Sequence, residues 1–108
     1  MTVAALIVAA GRGLRAGSDG LPKAYRPIGG EPMLLRTLRL FAEHPAVGMI
    51  MVVIHPDDQP LCDGVLAQLG TFKPVMITAG GASRQESVLR GLEDMAFMPS
   101  EIVLVHDA

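Results

Sequence analysis

Val3-Ala4-Ala5-Leu6-Ile7-Val8 runs without polar interruption into Ala9-Ala10-Gly11-Arg12-Gly13-Leu14-Arg15-Ala16-Gly17-Ser18-Asp19-Gly20-Leu21-Pro22-Lys23. The apolar run lacks the alternation of a half-exposed strand, so it reads as a strand buried on both faces, the central strand of a parallel sheet. The segment after it reads as a loop, because recurrent glycines, Ser18, Asp19 and Pro22 discourage a long helix. A glycine-rich loop that leaves a buried strand and carries Arg12, Arg15 and Lys23 offers backbone N–H groups and cations to phosphates.

The rest of the chain repeats the strand-then-helix pattern. Ile28-Gly29-Gly30-Glu31-Pro32 reads as a turn. Pro32 suits the first position of a helix over about Pro32 to Glu43, with Leu34, Leu35, Leu38, Phe41 and Ala42 on one face. Gly48 to Ile54 reads as a second buried strand, stopped by His55-Pro56. Asp57 or Asp58 then caps a helix that turns Leu61, Val65, Leu66 and Leu69 inward and stops at Gly70. Pro74 to Thr78 is a third strand, and Ala79-Gly80-Gly81-Ala82 a second glycine turn. Ser83 and Glu86 form a capping box for a helix in which Val88, Leu89, Leu92 and Met95 recur at helical spacing. Ile102 to Val105 is a fourth strand, ending at His106-Asp107. Strands alternating with helices across short loops specify an α/β fold with a mostly parallel sheet and right-handed crossovers.

The 108 residues suffice for one domain or part of one. Half are hydrophobic, 19% are charged and the net charge is -2, which argues against disorder and against a nucleic-acid surface. The basic residues are nonetheless uneven. Four of the nine Lys and Arg (Arg12, Arg15, Lys23, Arg26) lie within residues 12–26, where Asp19 is the only acid, so a local site for small phosphates is favoured. Cys62 is the single cysteine and the first apolar run has no basic leader, so the expected compartment is cytoplasmic, without a membrane. The chain closes on a strand and its first loop residues, and is expected to be part of a larger domain.

In open α/β sheets, ligands bind beyond the carboxyl ends of the strands, where Gly11 to Lys23, Gly80 to Ser87 and His106-Asp107 are all placed. These loops offer N–H donors, cations, a helix N-terminus and a carboxylate able to hold Mg²⁺, which suits a nucleoside triphosphate. A P-loop is excluded, since no Gly-Lys-Ser/Thr closes the first loop. Gly11-Arg12-Gly13-Leu14-Arg15-Ala16 matches the spacing of a dinucleotide fingerprint, but that motif needs a helix to begin inside it and an acid at the end of the second strand, where His55-Pro56 stands. His44 and His55 read as helix-end and strand-end residues, and His106 as a local packing residue.

Three motifs in order, Ala9-Ala10-Gly11-x-Gly13-x-Arg15 with Pro22-Lys23-x-Tyr25, then Gly80-Gly81-x-x-Arg84-x-x-Ser87-Val88, then Val105-His106-Asp107-Ala108, resemble the 2-C-methyl-D-erythritol 4-phosphate cytidylyltransferases. The resemblance covers all 108 residues but about the first half of that family's domain, and it extends to the bifunctional form fused to a cyclodiphosphate synthase. It implies a Rossmann-like three-layer nucleotidyltransferase fold, of which residues 1–108 are the N-terminal nucleotide-binding part, a first βαβαβαβ portion. It further implies CTP and methylerythritol phosphate as substrates, a divalent magnesium ion and a homo-oligomer.

By motif position, Arg15 and Lys23 meet the charge that develops on the α-phosphate, at about 3 to 5 kcal/mol each if typical of such cations. Gly11 and Gly13 approach the phosphates through backbone N–H groups. Ala9, Ala10, Gly81, Arg84 and Ser87 line the nucleotide, and Asp107 holds the metal. Two positions depart from the family pattern: Ala24 stands where Gln is common after the Pro-Lys pair, and Ala82 where an acid is often found. Another sugar-phosphate nucleotidyltransferase is the nearest alternative, and a catalytically silent nucleotide-binding regulatory module the alternative from another class.

Overall fold

The computed structural model describes residues 3–11, 21–71, 73–96 and 102–108. Its centre is a four-stranded, all-parallel sheet in the order β5-β4-β1-β6, built from β1 (Val3–Ala9), β4 (Val47–Ile54), β5 (Val75–Ala79) and β6 (Ile102–Asp107). Three helices connect them: α1 (Met33–Glu43), α2 (Gln59–Leu69) and α3 (Arg84–Asp94).

The period-two geometry of a strand explains why β1 and β4 are apolar throughout. Ala5, Ile7 and Ala9 of β1, with Ile50, Val52 and Ile54 of β4, pack against Leu34, Leu35 and Leu38 of α1 and Cys62 and Val65 of α2. The intervening Ala4 and Leu6, with Met49, Met51 and Val53, form the other core with Met95. The result is three layers, α1 and α2 on one face and α3 on the other. Lys73 fastens α1 from its carboxyl end, its ammonium donating to the Phe41 and His44 carbonyls left open by the last turn.

Several local expectations are corrected. Pro32 is the N-cap of α1, and the helix begins at Met33. The turn at Gly29-Gly30 closes a small antiparallel hairpin, β2 (Pro27–Ile28) with β3 (Glu31–Pro32), and both glycines have positive φ (62° and 86°), as such a tight hairpin requires. Leu61 is exposed, and so are Leu89 and Leu92 of α3. Val88 and Met95 pack on the sheet as expected, but the middle of the face that α3 turns to it is Ser87 and Gly91. A Cβ on Gly91 would stand 2.5 Å from Leu6 Cδ1, so glycine here sets how closely helix and sheet approach.

After β1 the chain passes to β4 over the α1 face, whereas β6 returns to the other side of β1 from α3. The gap beyond the carboxyl ends of β1 and β6 is therefore the topological switch point at which open α/β sheets bind ligands. Ala108 N donates to Val8 O at 3.0 Å and carries the β1–β6 pairing one step into that region.

Candidate functional site

A cleft of about 500 Å³ opens at the switch point. Its floor is the end of β1, Val8 to Gly11, and one wall is Asp107 and Ala108 at the end of β6. The opposite wall is Gly81 to Arg84 with Ser87, from the loop after β5 and the first turn of α3. Lys23 and Ala24 come from the far end of the first loop, and His55 from the end of β4.

Lys23 opens a single 3-10 turn, Lys23–Tyr25, closed by Tyr25 N to Pro22 O (2.9 Å) and Arg26 N to Lys23 O (3.2 Å). Ala24 and Tyr25 are buried under it and fix its place, so the exposed Lys23 side chain is held at the cleft with its stem anchored. Among the described residues no carboxylate pairs with its ammonium. Ala24 belongs to this buried anchor as well as to the cleft lining.

The wall after β5 is tied by hydrogen bonds that sequence spacing foretells in part. Ser83 Oγ accepts from Glu86 N at 3.1 Å, as the capping box predicts. The return bond of Glu86 goes one residue further back than expected, its Oε2 accepting from Ala82 N at 3.1 Å. Ser87, only 2% exposed, accepts from Gly81 N through Oγ at 3.1 Å. Gly80 N donates to Ile54 O at 2.7 Å, which folds the turn back onto the end of β4.

Arg84, the first residue of α3, donates from Nε to Asp107 Oδ1 at 2.9 Å. It thereby bridges the two walls over the end of β1. Asp107 is a single carboxylate, and no group of three or more His, Cys, Asp or Glu side chains among the described residues is placed to hold an ion. That donor set fits Mg²⁺ carried in on a triphosphate, which needs one or two carboxylates beside phosphate oxygens and water. It does not fit a metal centre built from protein ligands alone.

The structure thus brings together Ala9, Ala10, Gly11, Lys23, Gly81, Arg84, Ser87 and Asp107 from the sequence-derived set. Gly13 and Arg15 lie within 12–20, outside the described residues. Sequence reasoning misses His55 as a cleft residue, although it directly follows β4 at the same sheet edge. Its Nδ1 accepts from Asp57 N at 3.1 Å, so the neutral ring carries its proton on Nε2. Gly80 is a second residue whose part the sequence does not reveal. A Cβ there would lie 2.5 Å from Ala10 Cβ and 2.6 Å from Ser87 Oγ.

No described helix is long and apolar enough to cross a membrane. Among solved structures, the 4-diphosphocytidyl-2C-methyl-D-erythritol synthase of Anaerococcus prevotii is similar over 97% of this chain and 42% of that one, with a TM-score of 0.78 and 31% identity. The inositol-1-phosphate CTP transferase of T. maritima shares the fold at a TM-score of 0.72 and 18% identity, over 96% of this chain and 42% of that one. Among curated relatives, the bifunctional enzyme IspD/IspF of Bradyrhizobium sp. (strain ORS 278) is 50% identical over 105 residues, 97% of this chain and 26% of that protein. The chain spans about a quarter of the length of the curated relatives it matches. The family model described as 2-C-methyl-D-erythritol 4-phosphate cytidylyltransferase matches residues 3–108, and on that match and the 50% identity the chain belongs to this family.

Proposed function

We propose that the chain is the nucleotide-binding part of an enzyme that transfers CMP from CTP to 2-C-methyl-D-erythritol 4-phosphate, releasing pyrophosphate, in the non-mevalonate route to isoprenoids. The observation that carries this reading is the cleft at the β1–β6 switch point, to which described residues of each of the three motifs contribute. The reading includes a cytoplasmic, homo-oligomeric full-length protein, supported by the sparse cysteine usage for the compartment and by the family resemblance for the assembly.

In the reaction a phosphate oxygen of the acceptor forms a bond to the α-phosphorus of CTP while the bond from that phosphorus to the β-phosphate oxygen breaks. Negative charge grows on the α-phosphoryl oxygens and on the departing pyrophosphate, and fixed cations are the residues that lower such a barrier. Lys23 suits this task because its turn is anchored and its ammonium unpaired among the described residues, so little reorganisation precedes reaction. Arg15 is assigned the same task by its motif position. Gly11 and Gly13 bring backbone N–H groups to the phosphates. Ala9, Ala10, Gly81 and Ser87 enclose the cytidine, small residues leaving room for a base against the backbone. Asp107 is the residue that would hold Mg²⁺, whose contribution is to neutralise phosphate charge.

The test uses the full-length protein with methylerythritol phosphate and Mg²⁺, following pyrophosphate release with CTP, UTP and ATP. Release with CTP well above the others is expected. Preference for another triphosphate would identify a different sugar-phosphate nucleotidyltransferase, and CTP binding without turnover would identify a regulatory module.

A further inference from the structure

The Arg84–Asp107 pair places a guanidinium on the one carboxylate that lines the described part of the cleft. We infer that Arg84 withholds Asp107 from a free divalent cation and yields it only when a triphosphate is bound, so that cation and nucleotide enter together. This rests on the proposed function for the identity of the nucleotide.

Three observations support it. Asp107 Oδ1 accepts from Arg84 Nε at 2.9 Å, so a cation arriving alone must displace a charge-assisted hydrogen bond or sit beside a positive group. The described lining holds Lys23 and Arg84 against Asp107 alone, a balance that repels a bare cation and attracts an anion. Both partners are more than half exposed (55% and 62%), so the pair is weak enough to be exchanged at small cost once another anion is present. A triphosphate is such an anion. Arg84 uses one of its five N–H donors on Asp107 and stands at the N-terminus of α3, where the helix dipole favours negative charge. When phosphate oxygens engage the guanidinium, the carboxylate is released to the accompanying cation. No covalent bond changes in this exchange.

Mn²⁺ binding to the full-length protein, measured by electron paramagnetic resonance with and without CTP, tests the inference. Without nucleotide, Arg84→Gln should bind Mn²⁺ about two- to five-fold more tightly than the unaltered protein, the range an exposed ion pair supplies. The gain should vanish in the Arg84→Gln/Asp107→Asn double variant, and Arg84→Lys, which keeps the positive charge, should show little of it. Equal nucleotide-free affinity in Arg84→Gln, or a gain that survives Asp107→Asn, overturns the inference. An unaltered protein that binds Mn²⁺ with CTP, while Arg84→Gln gains nothing without it, overturns this inference alone. Failure of the unaltered protein to bind CTP at any Mn²⁺ concentration overturns the proposed function as well.

Discussion

Gly80 approaches Ala10, a residue of the cleft floor, so closely that a Cβ on the glycine would lie 2.5 Å from the alanine's own Cβ. Ala10 follows the central strand and Gly80 follows β5, so their approach draws two site loops together above β4. Ser87 Oγ, 2.6 Å from the same point, closes the third side.

Gly80→Ala should therefore destabilise the protein. Ala10 is carried on backbone and cannot swing aside, so the loop must shift, at about 1–3 kcal/mol for overpacking of this kind. Gly64→Ala is the contrast. Gly64 is an exposed residue within α2 with nothing within 4 Å of an added Cβ, and alanine there should stabilise by about 0.5–1 kcal/mol through helix propensity. Urea denaturation of both variants of the full-length protein checks the pair, and a loss at Gly64 as large as at Gly80 would refute the steric argument.

These two glycines also show what the sequence could and could not convey. The strands were legible because burial on both faces demands the continuous apolar runs of β1 and β4. The loops at the sheet edge were legible because glycine and proline mark them. Contacts between distant segments were not. That Gly80 faces a fixed neighbour depends on Ala10, far away in the chain, whereas an added Cβ on Gly81 would meet the Glu86 side chain; the Arg84–Asp107 pair depends on α3 crossing the sheet. On α3 itself, helical spacing finds Val88 and Met95, which pack on the sheet, together with Leu89 and Leu92, which do not; the rest of the packed face is Ser87 and Gly91, whose small size lets the helix approach the sheet. Periodicity of large apolar residues cannot report a contact made by small ones.

Ser87→Ala should separate binding from chemistry. Removing Oγ leaves Gly81 N–H without its partner beside a nearly fully buried position, at about 1–3 kcal/mol of stability. Loosening of the Gly81 wall should raise the KM for CTP several-fold while kcat changes less. Steady-state kinetics at varied CTP decide the matter, and an unchanged KM would remove Ser87 from the nucleotide site.

Lys23→Ala and Arg15→Ala should act in the opposite sense. Groups that meet charge present only in the transition state lower kcat when removed, with modest change in nucleotide affinity. A loss of about 150- to 5000-fold in kcat for each, the equivalent of about 3–5 kcal/mol, is the expected scale. Turnover within a few-fold of the unaltered enzyme in both variants would withdraw the catalytic assignment. Calorimetry with CTP supplies the binding half of the comparison.

Cys62 gives a pH dependence with a definite sign. The thiol is wholly buried between α2 and the sheet. Burial, reinforced by the Asp63 carboxylate and opposed by a hydrogen bond with Tyr25, pushes its pKa up from 9.0 to about 11. Between those values the folded chain keeps a proton that the unfolded chain releases, so stability is fully present below about pH 9 and falls as pH rises toward 11. The loss amounts to about 2–3 kcal/mol at 1.36 kcal/mol per pH unit. Cys62→Ala should start less stable at pH 7 because of the cavity it leaves, yet lose less between pH 9 and 11. Denaturation midpoints across that range should converge for the two proteins, and parallel curves would show that the thiol does not titrate on unfolding.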